Sequence, residues 1–401
     1  MTSLDLTSQF LIIGGGIAGV SAAEAIRSLD TNADITIISD EHNLPYLRMS
    51  LTRYLAGEVA LEKLDLHDQA WYQANRIELL TDQRVENILL EQKQVVLCDQ
   101  RRIAYEKLIL ANGASPFVPP IPGHELQGVM TLRSLEDAQK ILETCKEPVN
   151  IVCIGGGLLG LEIAGAISRH GAKITVLEAL DWLLPRQLGQ QAALILQKEI
   201  EKLSIRVIVP AKVKQITGSG SVEAVELDDG SLIPADLVLI SAGVRPNLGL
   251  AKKAGLALNR GIVVDQHMRT SRADIFAAGD VCEFEGICYG LWIPAKNQGE
   301  VAGKNAFGDP AVFQADAPST KLKVLGIDLF SIGLFSPTLE SDRLVTWQDG
   351  EKYASLLLRN EVIVGANLIG KTGLDLKVKK AFEMGRSFQD FKNEVDLSFT
   401  E

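Results

Sequence analysis

Residues 10–27 read FLIIGGGIAGVSAAEAIR, and residues 151–178 read IVCIGGGLLGLEIAGAISRHGAKITVLE. Each opens on an unbroken apolar run, which suits a strand buried on both faces. Each run enters a G-x-G-x-x-G turn, with Gly14, Gly16 and Gly19 in the first and Gly155, Gly157 and Gly160 in the second. A small-residue helix follows, then a second strand and acid: DITIIS before Asp40 and Glu41, and Glu178 at the end of the second copy. The first glycine permits a tight turn, the second lets backbone approach a pyrophosphate, and the third lets helix pack on strand. The helix N-terminus supplies free N–H groups and partial positive charge for phosphates. One such turn is an ordinary strand–helix junction. Two complete copies with their acids predict two dinucleotide sites, each on a Rossmann-like α/β unit.

The chain has 401 residues, enough for two to three domains. Its net charge of −11 argues against nucleic acid or an anionic membrane as the main partner, since both require a basic face. The five histidines show no metal-ligand spacing, so no metal is expected. The five cysteines, Cys98, Cys145, Cys153, Cys282 and Cys288, form no CxxC, and an odd count suits a reducing compartment. FLIIGGG follows the N-terminus almost at once, so a signal peptide is not expected. No uncharged apolar run reaches the ~20 residues of a membrane span. These features predict a cytoplasmic protein.

Residues 271–284, SRADIFAAGDVCEF, read as a strand ending in Gly279 and Asp280. An aspartate there either caps a helix or accepts hydrogen bonds from the ribityl chain of a flavin. Residues 108–116, LILANGASP, and 237–247, LVLISAGVRPN, complete a set of five motifs in fixed order. Together they resemble the FAD-dependent pyridine nucleotide–disulfide oxidoreductase superfamily over nearly the whole chain. The resemblance implies two Rossmann-like dinucleotide-binding domains, the NAD domain inserted in the FAD domain, plus a small α+β C-terminal domain. The expected bounds are 1–115 and 245–308 for FAD, 116–244 for NADH, and 309–401 for the last domain. It assigns Gly14, Gly16, Gly19, Ala111, Gly113, Gly279 and Asp280 to FAD, with either Glu41 or Asp40 on the adenine-side ribose. It assigns Gly155, Gly157, Gly160, Glu178 and Gly243 to the nicotinamide cofactor. Glu178 favours NADH over NADPH, because a carboxylate binds a free 2′-hydroxyl and repels a 2′-phosphate; Arg186 lies eight residues on.

The superfamily divides by what accepts electrons from the flavin. No cysteine lies between Met1 and Leu97. A thiolate is needed for disulfide exchange, so a redox-active disulfide is not expected. Cys282 and Cys288 match no family redox pair and read as core or loop residues. Instead PYLRMSLTRYLAG resembles the P-Y-x-R-P-x-L-S-K pattern of rubredoxin and ferredoxin reductases. Arg48 and Arg53 match its two basic positions; Met49 replaces a proline, and Arg53 replaces a lysine. In related reductases the glutamate at the position of Glu162 pairs with the second base near the flavin, which makes Arg53 and Glu162 the candidate catalytic pair. Lys296, in WIPAKNQGE, is placed beside the flavin by the same resemblance.

Residues 320–333, TKLKVLGIDLFSIG, resemble the small C-terminal domain of NADH:rubredoxin oxidoreductases and the flavoprotein module of NADH nitrite reductase large subunits. The sequence carries no iron–sulfur or siroheme module, so nitrite reduction by this chain alone is not expected. The implied reaction passes hydride from NADH to FAD and then single electrons to a small acidic carrier such as rubredoxin. Two alternatives stand beside it: an electron-input subunit of a larger nitrite reductase or oxygenase system, and a non-turnover flavoprotein that senses NADH, as a resemblance to apoptosis-inducing factor permits. An acidic carrier would need a basic patch. Arg48, Arg53, Lys296, Lys321, Lys323, Lys377, Lys379, Lys380 and Arg386 are the candidates, and the last four serve equally well as a solvated helix face.

Overall fold

The computed structural model describes residues 6–145, 149–314, 319–395 and 397–400, with the backbone alone for residues 319, 320 and 322–324. By contact density the chain forms two units: residues 1–51, 59–115 and 244–315, and residues 52–58, 116–243 and 316–401.

The first unit is built on a sheet whose central strand is Leu6–Ile13. Phe10, Leu11, Ile12 and Ile13 are buried, as a parallel strand covered on both faces requires. Strands Ile77–Leu80 and Ile35–Ile38 extend the sheet on one side, and Arg102–Leu110 lies on the other, all parallel. The long strand Arg102–Leu110 is shared. Its C-terminal end pairs in parallel with Ile275–Ala277, and its N-terminal end pairs antiparallel with Gln94–Leu97. Helix Ile17–Leu29 crosses between the first two strands and packs on helix Trp292–Phe307. That contact is close because it is made of small residues. A Cβ on Gly299 would come within 2.2 Å of the Ala18 carbonyl oxygen, and one on Gly303 within 2.4 Å of that of Ala22.

The second unit repeats the order of strands. Arg206–Ile208, Lys173–Leu177, Asn150–Ile154, Leu237–Ile240 and Val129–Met130 lie side by side, all parallel. A three-stranded antiparallel sheet, Val213–Thr217, Ala224–Leu227 and Leu232–Pro234, flanks it. The same unit holds a five-stranded antiparallel sheet in the order Ser319–Val324, Ile327–Gly333, Val362–Ile369, Lys352–Arg359 and Asp342–Asp349. Helices Asp375–Glu383 and Phe388–Glu394 follow it, and Val378, Ala381 and Phe391 enter its core. The α/β class, the two dinucleotide-binding folds and the small α+β C-terminal portion are as the sequence implies. Among the described residues no helix is long and apolar enough to cross a membrane.

Candidate functional site

In open parallel sheets, ligands bind beyond the carboxyl ends of the strands where the strand order reverses. In the first unit that point lies between Leu6–Ile13 and Arg102–Leu110, and both glycine turn and LILANGASP segment sit there. Gly14 has φ +120°, and its missing Cβ would lie 2.1 Å from the Ala111 carbonyl oxygen. Gly19 closes on the Gly14 carbonyl, where a Cβ would stand 2.0 Å away. Gly16 is different: it has ordinary φ of −81°, caps the helix without a side-chain bond, and has nothing within 4 Å of its notional Cβ. Two of the three glycines therefore serve the protein's own packing, and the third faces open space at a helix N-terminus. That is the cradle a pyrophosphate needs.

The second unit reproduces this geometry. Gly155 has φ +119° with its notional Cβ 2.2 Å from the Ser241 carbonyl oxygen, Gly160 closes on Gly155 at 2.0 Å, and Gly157 has open space. Gly243, two residues past Ser241, has φ +97°. The backbone N–H of Gly14 donates to the Ile38 carbonyl and that of Gly155 to the Leu177 carbonyl, so the ends of the second strands, Ile38 and Leu177, hold equivalent positions against the two glycine turns. By that register Ser39 stands where Glu178 stands. The Ser39 Oγ accepts from the Glu41 N–H, as the Glu178 Oε1 accepts from the Leu180 N–H. The first copy's acids thus lie one and two residues further on than the second's.

Glu178 is buried and folded back on its own turn, with Oε2 accepting from the Gly156 N–H at 2.8 Å and Oε1 from Leu180 at 2.9 Å. Glu41 takes a hydrogen bond from the Tyr46 hydroxyl at 2.6 Å and an ion pair from Arg48. Burial lowers the Arg48 pKa, but Tyr46, Glu41 and Asp280 together raise it above the ordinary arginine value. Arg48 is therefore a fixed cation, ion-paired with Glu41 and lying over the Tyr46 ring. Asp40 is exposed.

At the Gly279–Asp280 strand end, Gly279 has φ +81° and donates its N–H to Gln298 Oε1 at 2.9 Å. Cys282 Sγ also donates to that oxygen, at 3.3 Å. Gln298 Nε2, Asn112 Oδ1 and Trp292 Nε1 are buried without a hydrogen-bond partner. Orphaned buried polar atoms of this kind call for a ligand or water. With the open Gly16 cradle they fit a flavin dinucleotide on this unit. Lys296 is exposed, with Nζ 5.9 Å from the centre of the Trp292 ring.

Sequence reasoning missed several residues here. Asn112 Nδ2 donates to the Asn247 carbonyl at 2.9 Å, Asn247 Nδ2 donates to the Asn112 carbonyl at 2.7 Å, and Ser115 Oγ donates to Asn247 Oδ1 at 2.7 Å. This clasp sits where the chain leaves the first unit and where it returns. Gly113, with φ +62°, lies between its two arms. Both asparagines are in the quoted motifs, but nothing local pairs them.

The segment 52–58 belongs to the second unit and is fastened to helix Leu158–Ser168 and the residues just after it. Thr52 Oγ1 donates to Glu162 Oε2 at 3.1 Å, His170 Nε2 lies 2.6 Å from the Leu55 carbonyl, and Arg169 pairs with Glu58 at 2.8 Å. Arg53 itself pairs with Glu58 at 3.4 Å and its side chain is 59% exposed. Among the described residues no bond joins Arg53 to Glu162; each has another partner. Burial raises the Glu162 carboxyl pKa, and the Thr52 hydrogen bond offsets only part of that.

The five cysteines are free. Burial raises the pKa of Cys145 to about 11 and of Cys153 to about 12, and raises Cys282 further. Such thiols are poor nucleophiles. In the C-terminal cluster, Lys321 pairs with Asp375, Lys379 with Glu383 and Arg386 with Glu394, while Lys377 Nζ donates to the Glu394 carbonyl. Much of that positive charge is answered locally. The Lys323 side chain lies outside the described residues.

Residues 8–301 match the pyridine nucleotide-disulphide oxidoreductase family, and residues 318–386 match the rubredoxin NAD+ reductase C-terminal domain. The chain is 35% identical to the nitrite reductase [NAD(P)H] of Bacillus subtilis over 98% of its own length and 48% of that protein's. It thus spans about half the length of that relative. It is 35% identical to the NADH-rubredoxin oxidoreductase of Clostridium acetobutylicum, covering 96% of this chain and 97% of the relative. The crystal structure of the NADH:rubredoxin oxidoreductase from that organism superposes with a TM-score of 0.85 at 33% identity, covering 97% of this chain and all of the other.

Proposed function

Because the chain belongs to the pyridine nucleotide-disulphide oxidoreductase family, with FAD and NADH as its cofactors, we propose that it is an NADH oxidoreductase that delivers electrons to a small carrier such as rubredoxin. The observation that carries this reading is the combination of two open glycine cradles with a C-terminal sheet that matches the rubredoxin NAD+ reductase C-terminal domain. When bound, the two cofactors supply hydride transfer and its conversion to single-electron steps. The chain's task is to hold and tune them.

Gly14, Gly16, Gly19, Ala111, Gly113, Gly279 and Asp280 are proposed to hold FAD, with Lys296 nearby and Asp40 or Glu41 toward the ribose. Arg48 is a fixed cation on the same unit, and the Glu41–Tyr46 pair orients it. Gly155, Gly157, Gly160, Glu178 and Gly243 are proposed to hold NADH. A joint role for Arg53 and Glu162 in flavin reduction is proposed from the family resemblance; in this structure Thr52 donates to Glu162 and Arg53 pairs with Glu58. A cytoplasmic location fits the free, buried thiols. The domain bounds proposed are those read from the sequence.

A second reading, the electron-input subunit of a larger nitrite reductase or oxygenase system, is supported by the 35% identity to the nitrite reductase relative. The deciding experiment is to purify the protein, confirm that it is yellow and releases intact FAD, and supply NADH with rubredoxin, ferredoxins, dithiol substrates or oxygen. Rapid rubredoxin reduction supports the first reading. Turnover with dithiols alone overturns both. Slow transfer to every carrier, with a long-lived NADH complex, would favour an NADH sensor.

A further inference from the structure

Asn367 is fully buried in strand Val362–Ile369 of the C-terminal sheet, where an amide requires partners. Its partners lie on the segment that follows Glu178. Asn367 Oδ1 accepts from the Gly189 N–H at 2.8 Å, and Nδ2 donates to the Gln187 carbonyl at 2.8 Å. Ser331, also buried, donates its hydroxyl to the same Gln187 carbonyl and accepts from Asn367 Nδ2 at 3.1 Å. The far end of the segment is thus gripped by two strands of the sheet.

The near end grips the glycine turn. Gln187 and Leu188 donate backbone N–H groups to the Leu184 carbonyl, and Leu184 donates its own N–H to the Gly156 carbonyl at 3.1 Å. The Gly156 N–H in turn donates to Glu178 at 2.8 Å. Both polar groups of Gly156 are therefore held by residues 178–189. Leu183, Leu184 and Leu188 are fully buried, and a Cβ on Gly156 would meet Leu183 Cδ2 at 2.5 Å, so the segment has no slack.

We propose that Asn367, with Ser331, is a positioning residue for the adenosine end of NADH: by fixing Gln187 and Gly189 it fixes Leu184, and through it the Gly155–Gly157 turn and the Glu178 carboxylate. This rests on the assignment of NADH to that turn. It gives the C-terminal sheet a role in cofactor recognition through the segment 184–189. It also makes the link reciprocal, so that a partner which shifts strand Val362–Ile369 would change NADH affinity by the same factor that NADH changes the partner's.

The test is calorimetric titration of ADP-ribose and its 2′-phosphate into the FAD-loaded full chain, which needs no turnover. Asn367→Ala should weaken ADP-ribose about tenfold, equivalent to ~1.4 kcal/mol, and narrow its advantage over the 2′-phosphate. FAD content should stay stoichiometric. With a dye acceptor, KM for NADH should rise while kcat stays within about twofold. Ser331→Ala should weaken ADP-ribose by a smaller factor, and Ser331→Thr, which keeps the hydroxyl, should restore it. Trp182, whose Nε1 donates to the Leu188 carbonyl, reports on the segment through its fluorescence. If the wild type does not bind ADP-ribose, or Glu178→Ala binds it unchanged, the NADH assignment fails. If the wild type binds and Glu178→Ala weakens it while Asn367→Ala and Ser331→Ala bind normally, the positioning role alone is refuted. Should Asn367→Ala not fold, Ser331→Ala decides by the same criterion.

Discussion

Gly16→Val separates ligand binding from folding. The notional Cβ of Gly16 has nothing within 4 Å, and its φ of −81° with ψ of 179° is ordinary for a β-branched residue. The apoprotein should lose only about 0.5–1 kcal/mol, the cost of a poorer N-cap. The bound pyrophosphate would instead be pushed off the helix N-terminus. Losing two charge-assisted hydrogen bonds at ~1.5–3 kcal/mol each weakens FAD by roughly a hundredfold to ten-thousandfold. Gly14→Ala should do the reverse. Its φ of +120° and a carbonyl oxygen 2.1 Å from the new Cβ force the backbone to move, at a cost of about 3 kcal/mol or more to the apoprotein. The assay is urea unfolding of FAD-stripped protein, beside the FAD-to-protein ratio after reconstitution. A Gly16→Val protein that keeps stoichiometric FAD would refute the cradle, as would an apoprotein destabilised as much as Gly14→Ala.

Glu178→Ala should raise KM for NADH and narrow the preference over NADPH, and equal kcat/KM for the two cofactors in the wild type would show that Glu178 does not discriminate. Iodoacetamide should label the exposed Cys98 and leave NADH-to-carrier transfer intact, because the buried thiols are held protonated; inactivation that NADH prevents would contradict this. The raised Glu162 carboxyl stabilises the fold fully below its ordinary value of 4.5, and that stabilisation is lost as pH rises through the raised value. Glu162→Gln should therefore melt above the wild type at about pH 7 and level with it at about pH 4, in paired thermal scans; equal destabilisation at both would mean the charged form is needed structurally. Rubredoxin reduction should slow past ~0.1 M salt while reduction of an uncharged dye holds steady, and Lys379→Glu with Lys380→Glu should mimic the salt; a carrier rate indifferent to both would remove that helix from docking.

Both glycine turns were legible because their demands are local: a positive φ at Gly14 and Gly155, and a close carbonyl within one strand–turn–helix unit. The acidic shift in the first copy was legible as spacing, and the structure explains it by placing Ser39 at the position of Glu178. The partners of Glu41 lie five and seven residues away and could have been sought at that spacing. The partner of Glu162 could not. Thr52 is 110 residues distant, and only the fold brings segment 52–58 to that helix. Asn367 and Gln187 are 180 residues apart, each unremarkable in its own stretch. Pairings of that kind are made by topology, and local pattern carries no trace of them.

The Asn112–Asn247 clasp has a consequence in polymer terms. Its two ends are 135 residues apart in sequence yet joined by reciprocal hydrogen bonds, so everything between them is, for the first unit, one large loop. The entropy of closing a flexible loop grows only logarithmically with its length, by ~0.6 kcal/mol per doubling. The host sheet is therefore nearly indifferent to how much chain the clasp encloses. A whole nucleotide-binding fold can be carried there for little more free energy than a modest loop, and extra length inserted at its surface turns should leave the apo stability of the first unit almost unchanged.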